Sequence, residues 1–310
     1  MKQMKKFQHP ARCIICGNEN LQPGKEVTDY FLSKEEFVLL ECKVCELLTT
    51  TPQPPARQIG QYYQTDDYLS HNTSTKSIKS VLYRLARNQA LKYKFSLISK
   101  FFKIGSVLDY GSGTGEFLNY CKRNQWRTLG IEKNDNARNS AITNYKLEIY
   151  NPDSFEIPKE LRFDAITFWH VLEHLYDPLG QLKQLMNNLS DIGIFVLALP
   201  NYKSWDAQKF SKYWAAYDVP RHLYHFSPAT VTKLAGLLEL EIIEIHPMKL
   251  DAYYISLLSR KYQMGSMNYL NALYNGFVSN HKAKNADLGF SSNIFILKRP
   301  QSQIRAIETL

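Results

Sequence analysis

The sequence of 310 residues contains no stretch near the ~20 uninterrupted apolar residues that a helix needs to cross a bilayer. The opening residues Met1 to Lys6 are basic, but no apolar core and no small-residue cleavage site follow them. No secretory leader is therefore read there, and the expected compartment is the cytoplasm. Internal repeats and low-complexity tracts are also missing, which excludes repeat architectures. Cysteine is scarce and unevenly placed. Of five, Cys13, Cys16, Cys42 and Cys45 fall in the first 45 residues, and Cys121 stands alone. In a chain without a leader, such clustering points to a metal site rather than to disulfides.

Acidic residues are missing from one long segment. Between Tyr68 and Leu108 there is none, while Lys76, Lys79, Arg84, Arg87, Lys92, Lys94, Lys100 and Lys103 all fall within it. Ile78, Val81, Leu82, Leu85, Leu91 and Phe95 recur among them at roughly helical spacing, which predicts one or two amphipathic helices. A solvated basic face is the plain reading. A surface for an acidic substrate, a membrane or RNA is the other. Overall the formal charge is +9, with 44% hydrophobic and 22% charged residues, which describes a folded chain rather than a disordered one.

The pairs Cys13/Cys16 and Cys42/Cys45 are two Cys-x-x-Cys knuckles. A two-residue spacer lets both thiolates of a pair face one ion, and two pairs complete a tetrahedral structural Zn²⁺ site; four unrelated buried thiols, a redox pair or an iron–sulfur cluster are the alternatives. Residues 1–50 are thus expected to form a small zinc-binding module that depends on its metal. A Pro- and Thr-rich connector with a tyrosine-rich segment follows over 51–75. The main domain is expected over 76–300, and a tail over 301–310.

Across the main domain, short apolar strands alternate with amphipathic helices. Strands are expected at 106–110, 129–132, 163–168, 193–200, 240–245 and 292–298. Helices are expected at 116–123, 175–189, 229–238 and within 251–290. This alternation predicts an α/β fold with a mostly parallel sheet covered on both faces.

The most informative stretch is Asp109-Tyr-Gly-Ser-Gly-Thr-Gly115, where a strand passes through three glycines into a helix. Glu132 ends the next strand, where a carboxylate can accept hydrogen bonds from both hydroxyls of a ribose. A dinucleotide site would need Gly-x-Gly-x-x-Gly, but Glu116 occupies its last position, and a carboxylate there would repel a pyrophosphate. Asp109 suits a ligand bearing an ammonium group and no phosphate, such as the amino-acid end of S-adenosylmethionine.

With Gly130-Ile-Glu132 and the run from Phe163 to Pro178, these segments resemble successive motifs of class I S-adenosylmethionine-dependent methyltransferases. More narrowly, they are similar to the branch holding ubiquinone-pathway O-methyltransferases and zinc-ribbon-bearing bacterial methyltransferases. The resemblance implies a Rossmann-like seven-stranded sheet with helices on both faces, whose last strand, 292–298, is antiparallel. It implies cofactor contacts from Asp109, Gly111, Gly113, Gly115 and Glu132, with Asp153 and Ser154 at the adenine. Trp169 and His170 would face the methionine end, and Tyr63, with Tyr62 and Tyr68, would form a lid.

His170-Val-Leu-Glu173-His174 also spells a zinc-peptidase pattern, but it follows a strand rather than lying on a helix. In the resembling family, the segment from Asp218 to Pro228 borders the acceptor pocket. This makes Arg221 and His222, together with His170, the candidate catalytic residues. Ser227 and Pro228 read instead as a helix N-cap and first helical residue. Some O-methyltransferases of this broad group hold a divalent ion with a Glu-x-x-Glu-His segment and a later histidine. By that likeness, Glu173 and His174, with His170 and His222, are candidate ligands of a second metal. The function expected is methyl transfer to a small-molecule or glycan-like acceptor. RNA methylation, using the basic segment and zinc module, and a non-catalytic cofactor-binding scaffold are the alternatives.

Overall fold

The computed structural model describes residues 10–63, 78–285 and 289–300, with the backbone alone at 78–85 and 285. Tyr68, Lys76 and the tail 301–310 lie outside the described residues, as do the side chains of Lys79 and Arg84.

In chain order the strands and helices begin with β1 (Leu21–Thr28), β2 (Glu36–Cys42), β3 (Leu48–Thr51) and α1 (Ile78–Ser99). Then come β4 (Ser106–Tyr110), α2 (Glu116–Arg123), β5 (Arg127–Ile131), α3 (Asp135–Tyr145), β6 (Ile149–Tyr150) and β7 (Phe163–Trp169). These are followed by α4 (Pro178–Leu185), β8 (Leu189–Pro200), α5 (Trp205–Phe210), β9 (Tyr224–His225) and α6 (Pro228–Leu237). The chain continues through β10 (Glu241–Pro247), α7 (Lys249–Met264), α8 (Tyr269–Asn285) and β11 (Ser292–Lys298).

The fold is α/β. A seven-stranded sheet runs in the order β10-β11-β8-β7-β4-β5-β6, and a four-stranded sheet in the order β1-β2-β3-β9. Strands β4, β5, β6 and β7 pair in parallel, with Asp109 beside Gly130 on one side and Thr167 on the other. Parallel strands covered on both faces must be apolar throughout, and β4 and β7 are buried along nearly their whole length.

Two helix boundaries follow from local chemistry. The helix expected from residue 175 begins at Pro178, where a fixed φ and a missing N–H suit the first turn but not the interior. Asp177 accepts the Gly180 N–H at 2.8 Å beside that start. Ser227 caps α6 in a reciprocal capping box with Thr230, and Pro228 takes the first helical position.

The chain divides into two compact units. The first comprises 1–65, 172–182 and 198–295; the second comprises 66–171, 183–197 and 296–310. In the first unit the cysteine hairpin is continuous with the rest. Thr49 of β3 pairs with Tyr224 and Leu48 with His225. The Val27, Phe37 and Leu39 side chains share one core with Phe210, Trp214, Tyr217 and Ile255. In the second unit the core lies between β4, β5 and β7 and helices α2 and α3, with Leu108, Leu118, Ile166 and Ala141 fully buried.

Asp206 anchors the first unit. Its buried carboxylate accepts from Trp214 Nε1 at 2.8 Å, Ser279 Oγ at 2.8 Å and Ser291 Oγ at 2.6 Å. It thereby ties α5 to α8 and to the approach to β11. Asp206→Ala would leave three buried donors unsatisfied. It is expected to cost about 2–4 kcal/mol of unfolding free energy in urea titration.

Candidate functional site

The glycine turn of the second unit is built by exclusion on two sides and openness on the third. Gly111 has φ +75°, and a Cβ there would stand 2.4 Å from the Val171 side chain. A Cβ on Gly113, at φ +55°, would meet nothing within 4 Å. The turn therefore packs tightly at its base and offers bare backbone to open space at its crest. Glu132 fastens that crest, accepting the Gly113 N–H at 2.8 Å and the Asn134 N–H at 2.7 Å. A carboxylate has about four lone-pair positions, so roughly two stay available.

Asp109 lies beneath the turn and is 2% exposed. Burial pushes its carboxyl up to about 7; the Thr167 hydroxyl at 2.6 Å and the Lys94 charge oppose this, and Glu132 adds to it. Lys94 places its ammonium 4.5 Å from the centre of the Trp169 ring. The indole Nε1 of Trp169 is buried with no hydrogen-bond partner among the described residues, and its ring meets Phe117 edge-on. His170, next in the chain, adopts φ 57°. That left-handed conformation is unusual for a residue with a side chain, and such outliers cluster at functional sites.

Asp153 and Ser154 lie in an exposed turn, where Asp153 pairs with Lys133 at 3.2 Å and the Ser154 N–H bonds the Asn151 carbonyl. Next to them Phe155 stacks on Tyr150, ring centres 3.9 Å apart. Thr167 and Tyr150 went unnoticed in the sequence, Phe155 entered only through its likeness to an adenine contact, and Lys94 entered only as one charge of the basic run.

A family model described as "Methyltransferase domain" matches residues 78–245. The chain belongs to the methyltransferase domain family. Among solved structures it is similar to a SAM-dependent methyltransferase from Archaeoglobus fulgidus, at 20% identity and TM-score 0.48, covering 69% of this chain and 94% of that one. The plantazolicin methyltransferase BpumL, solved with a monoazolic desmethylPZN analog and SAH, is 18% identical with TM-score 0.46, over 69% and 84% of the two chains. The [4+2]-cyclase SpnF is 15% identical with TM-score 0.45, over 66% and 80%. No curated protein matches the chain.

The first unit of this methyltransferase holds two further clusters. The sulfurs of Cys13, Cys16, Cys42 and Cys45 all lie within 4.8 Å of one another. Cys13 and Cys45 are 3.5 Å apart, and Cys16 and Cys42 3.4 Å. These spacings are far from the ~2.05 Å of a disulfide and near the edge of a tetrahedron with ~2.3 Å metal–sulfur bonds. The Cys45 thiol bonds Cys13 and lowers its pKa, and the same bond raises Cys45, so the pair shares one proton that a bound cation would displace. Both knuckles share one backbone pattern. The Cys13 N–H bonds Asn18 O and Gly17 N–H bonds Cys13 O, just as Cys42 N–H bonds Leu47 O and Glu46 N–H bonds Cys42 O. Gly17 and Glu46 are both left-handed, at φ 72° and 59°.

The second cluster is Glu173, His174 and His222, whose ligand-type atoms also lie within 4.8 Å of one another. His174 Nδ1 lies 2.9 Å from the Arg221 carbonyl and 3.1 Å from the Tyr63 hydroxyl, and His222 Nδ1 lies 2.9 Å from the Ala216 carbonyl. A carbonyl only accepts, so each Nδ1 carries hydrogen and each neutral ring keeps its lone pair on Nε2. Burial, with the His174 charge, pushes His222 down to about 4. Tyr62, beside Tyr63, is a core residue whose hydroxyl bonds Glu35 at 2.5 Å.

Arg221 is 2% exposed. Its guanidinium donates to Asp218 at 3.0 and 2.7 Å, to Asp29 at 2.9 Å and to the Tyr62 carbonyl at 2.9 Å. Burial alone would raise both carboxyls, but Arg221 holds each below the usual range. Asp29 was missed in the sequence because it lies 192 positions away. Arg221→Met would leave the buried Asp29 and the half-buried Asp218 without their cation, and is expected to cost about 3–5 kcal/mol of stability, read as a lower melting temperature.

Proposed function

We propose that the protein transfers a methyl group from S-adenosylmethionine to a small-molecule or glycan-like acceptor. The observation that carries this reading is the bare crest at Gly113, flanked by one carboxylate below and another beside it. Asp109, Gly111, Gly113, Gly115 and Glu132 would hold the cofactor, with Asp153 and Ser154 at its adenine and Trp169 and His170 at its methionine end. When bound, S-adenosylmethionine supplies a methyl group already activated on a sulfonium. The protein's own part is then to bind, orient and exclude water.

Asp109 would receive the ammonium group. The lone pairs left on Glu132 suit the two ribose hydroxyls. The Tyr150–Phe155 stack supports a planar neighbour near Asp153. The narrower likeness to ubiquinone-pathway O-methyltransferases rests on the run from Phe163 to Pro178.

In the first unit, Cys13, Cys16, Cys42 and Cys45 would hold a structural zinc ion. His222, with Nε2 unprotonated, could take a proton from an acceptor that must lose one. A second reading places a divalent ion on Glu173, His174 and His222. It is favoured by the carbonyls that fix both imidazoles through Nδ1, the usual support of a ligating histidine. Under that reading Arg221 acts as a positioning residue, since its carbonyl orients His174.

Four measurements test these assignments. S-adenosylhomocysteine should raise the melting temperature, whereas NAD should not. The free Asp109 carboxyl titrates near 7 and a bound ammonium favours its ionised form, so binding releases a proton below that pH. Affinity measured by calorimetry should therefore rise between about pH 6 and about pH 8, by at most roughly tenfold per unit. Asp109→Asn should bind more weakly and flatten the profile. A pH-independent wild-type affinity would remove Asp109 from the site. Elemental analysis should find one tightly held zinc per chain, lost in Cys42→Ser. Zinc-free protein prepared without chelator would overturn the module. A second ion predicts turnover abolished by chelator and restored by divalent metal, with Glu173→Gln as damaging as His174→Ala.

A further inference from the structure

Helix α8 is amphipathic with its polarity reversed. Its buried face is Ala272, Asn275, Gly276, Ser279, Asn280 and Ala283. The polar members bond inside the first unit: Ser279 donates to Asp206, Asn280 to the Lys249 carbonyl and Asn275 to Asn271, while the Oδ1 atoms of Asn275 and Asn280 are buried with no partner among the described residues. Gly276 lies against Tyr253, where a Cβ would stand 2.4 Å from the ring. The outward face carries the large apolar side chains. Leu270 is 81% exposed, Leu273 56%, Tyr274 64% and Phe277 60%. At positions i, i+3, i+4 and i+7 these form one stripe. The stripe runs on into the turn before α8, where residues 263–270 are all exposed and Met264, Met267 and Tyr269 join it. Exposed apolar area of this extent marks a binding surface.

The charges around the stripe indicate what covers it. From Ala252 to Ala286 the sequence has no aspartate or glutamate, whereas Arg260, Lys261, Lys282 and Lys284 all fall within it. A second copy of the chain meeting this face about a twofold axis would bring the same four cations against only the flanking carboxylates Asp251 and Asp287, an excess of like charge. An anionic lipid surface supplies the missing charge, accepts Leu, Phe and Met into its acyl boundary, and suits tyrosine at headgroup depth. No helix among the described residues is long and apolar enough to cross a membrane, so contact would be made in the interfacial plane. We infer that the outward face of α8 and the turn preceding it dock on an anionic lipid bilayer. This inference is independent of the donor and acceptor assignments above.

The test is cosedimentation of the full chain with vesicles of phosphatidylcholine alone and of phosphatidylcholine mixed with phosphatidylglycerol. The protein should pellet with the mixed vesicles, and less so as salt is raised. Leu270→Ser and Phe277→Ser should each weaken binding by roughly tenfold or more, because each removes a large side chain from the bilayer. Both positions are exposed, so the thermal unfolding midpoint should stay unchanged. Lys284→Glu should weaken binding only to the anionic vesicles. Failure to pellet with the mixed vesicles overturns the inference, as does pelleting that survives the Leu270→Ser/Phe277→Ser double variant. A concentration-dependent dimer that Leu270→Ser dissociates, without vesicle binding, assigns the face to a second copy instead.

Discussion

The first unit is organised around one buried cation. Arg221 is enclosed by Asp29, Asp218, the Tyr62 carbonyl and the face of Phe31. A guanidinium removed from water is tolerable only when its fork of donors is matched, and here four of its N–H bonds find acceptors. Those acceptors come from the cysteine hairpin, the turn after the connector and the loop that carries Arg221 itself. With Arg221 fixed, its carbonyl fixes His174, and the next residue, His222, is held through the Ala216 carbonyl. The cysteine hairpin is thus more than an appendage: its Asp29 is half of the charge balance that shapes the histidine cluster.

The second unit solves a different electrostatic problem. Asp109 sits at the end of a buried parallel strand, where a carboxylate is costly, and the protein offsets only part of the cost through Thr167 and Lys94. What remains is a carboxyl pushed up to about 7, which on the proposed reading meets the cofactor's ammonium group. The glycine turn above it works by steric means. Val171 forbids a side chain at Gly111, while the crest at Gly113 is open. Binding specificity on this reading comes from where backbone is allowed to be bare.

Helix α8 shows polarity inside a fold inverted. Ser279 and Asn280 are held in its buried face by Asp206 and the Lys249 carbonyl, although the Oδ1 atoms of Asn275 and Asn280 find no partner among the described residues. The apolar side chains are then free to face outward. Amphipathic periodicity alone does not tell which face a helix buries. The carboxylate of Asp206, set by α5, decides it here.

Several features were determined by the sequence itself, because their physics is local. The two knuckle spacings bring four sulfurs together, Ser227 and Pro228 start a helix, and the glycine pattern makes three left-handed residues in five. Strand β4, helix α2 and strand β11 lie at the expected residues, since their apolar runs are short and sharply bounded. Pro178 trimmed the helix expected from 175. Only the tertiary structure decided what meets across long separations. It paired Arg221 with Asp29, set Lys94 over Trp169, joined β3 to β9, and turned the leucines of α8 outward. The reason is that spacing along the chain encodes dihedral angles and faces, which repeat over a few residues. The identity of a partner across two hundred residues is fixed only when burial demands that every charge and donor be matched.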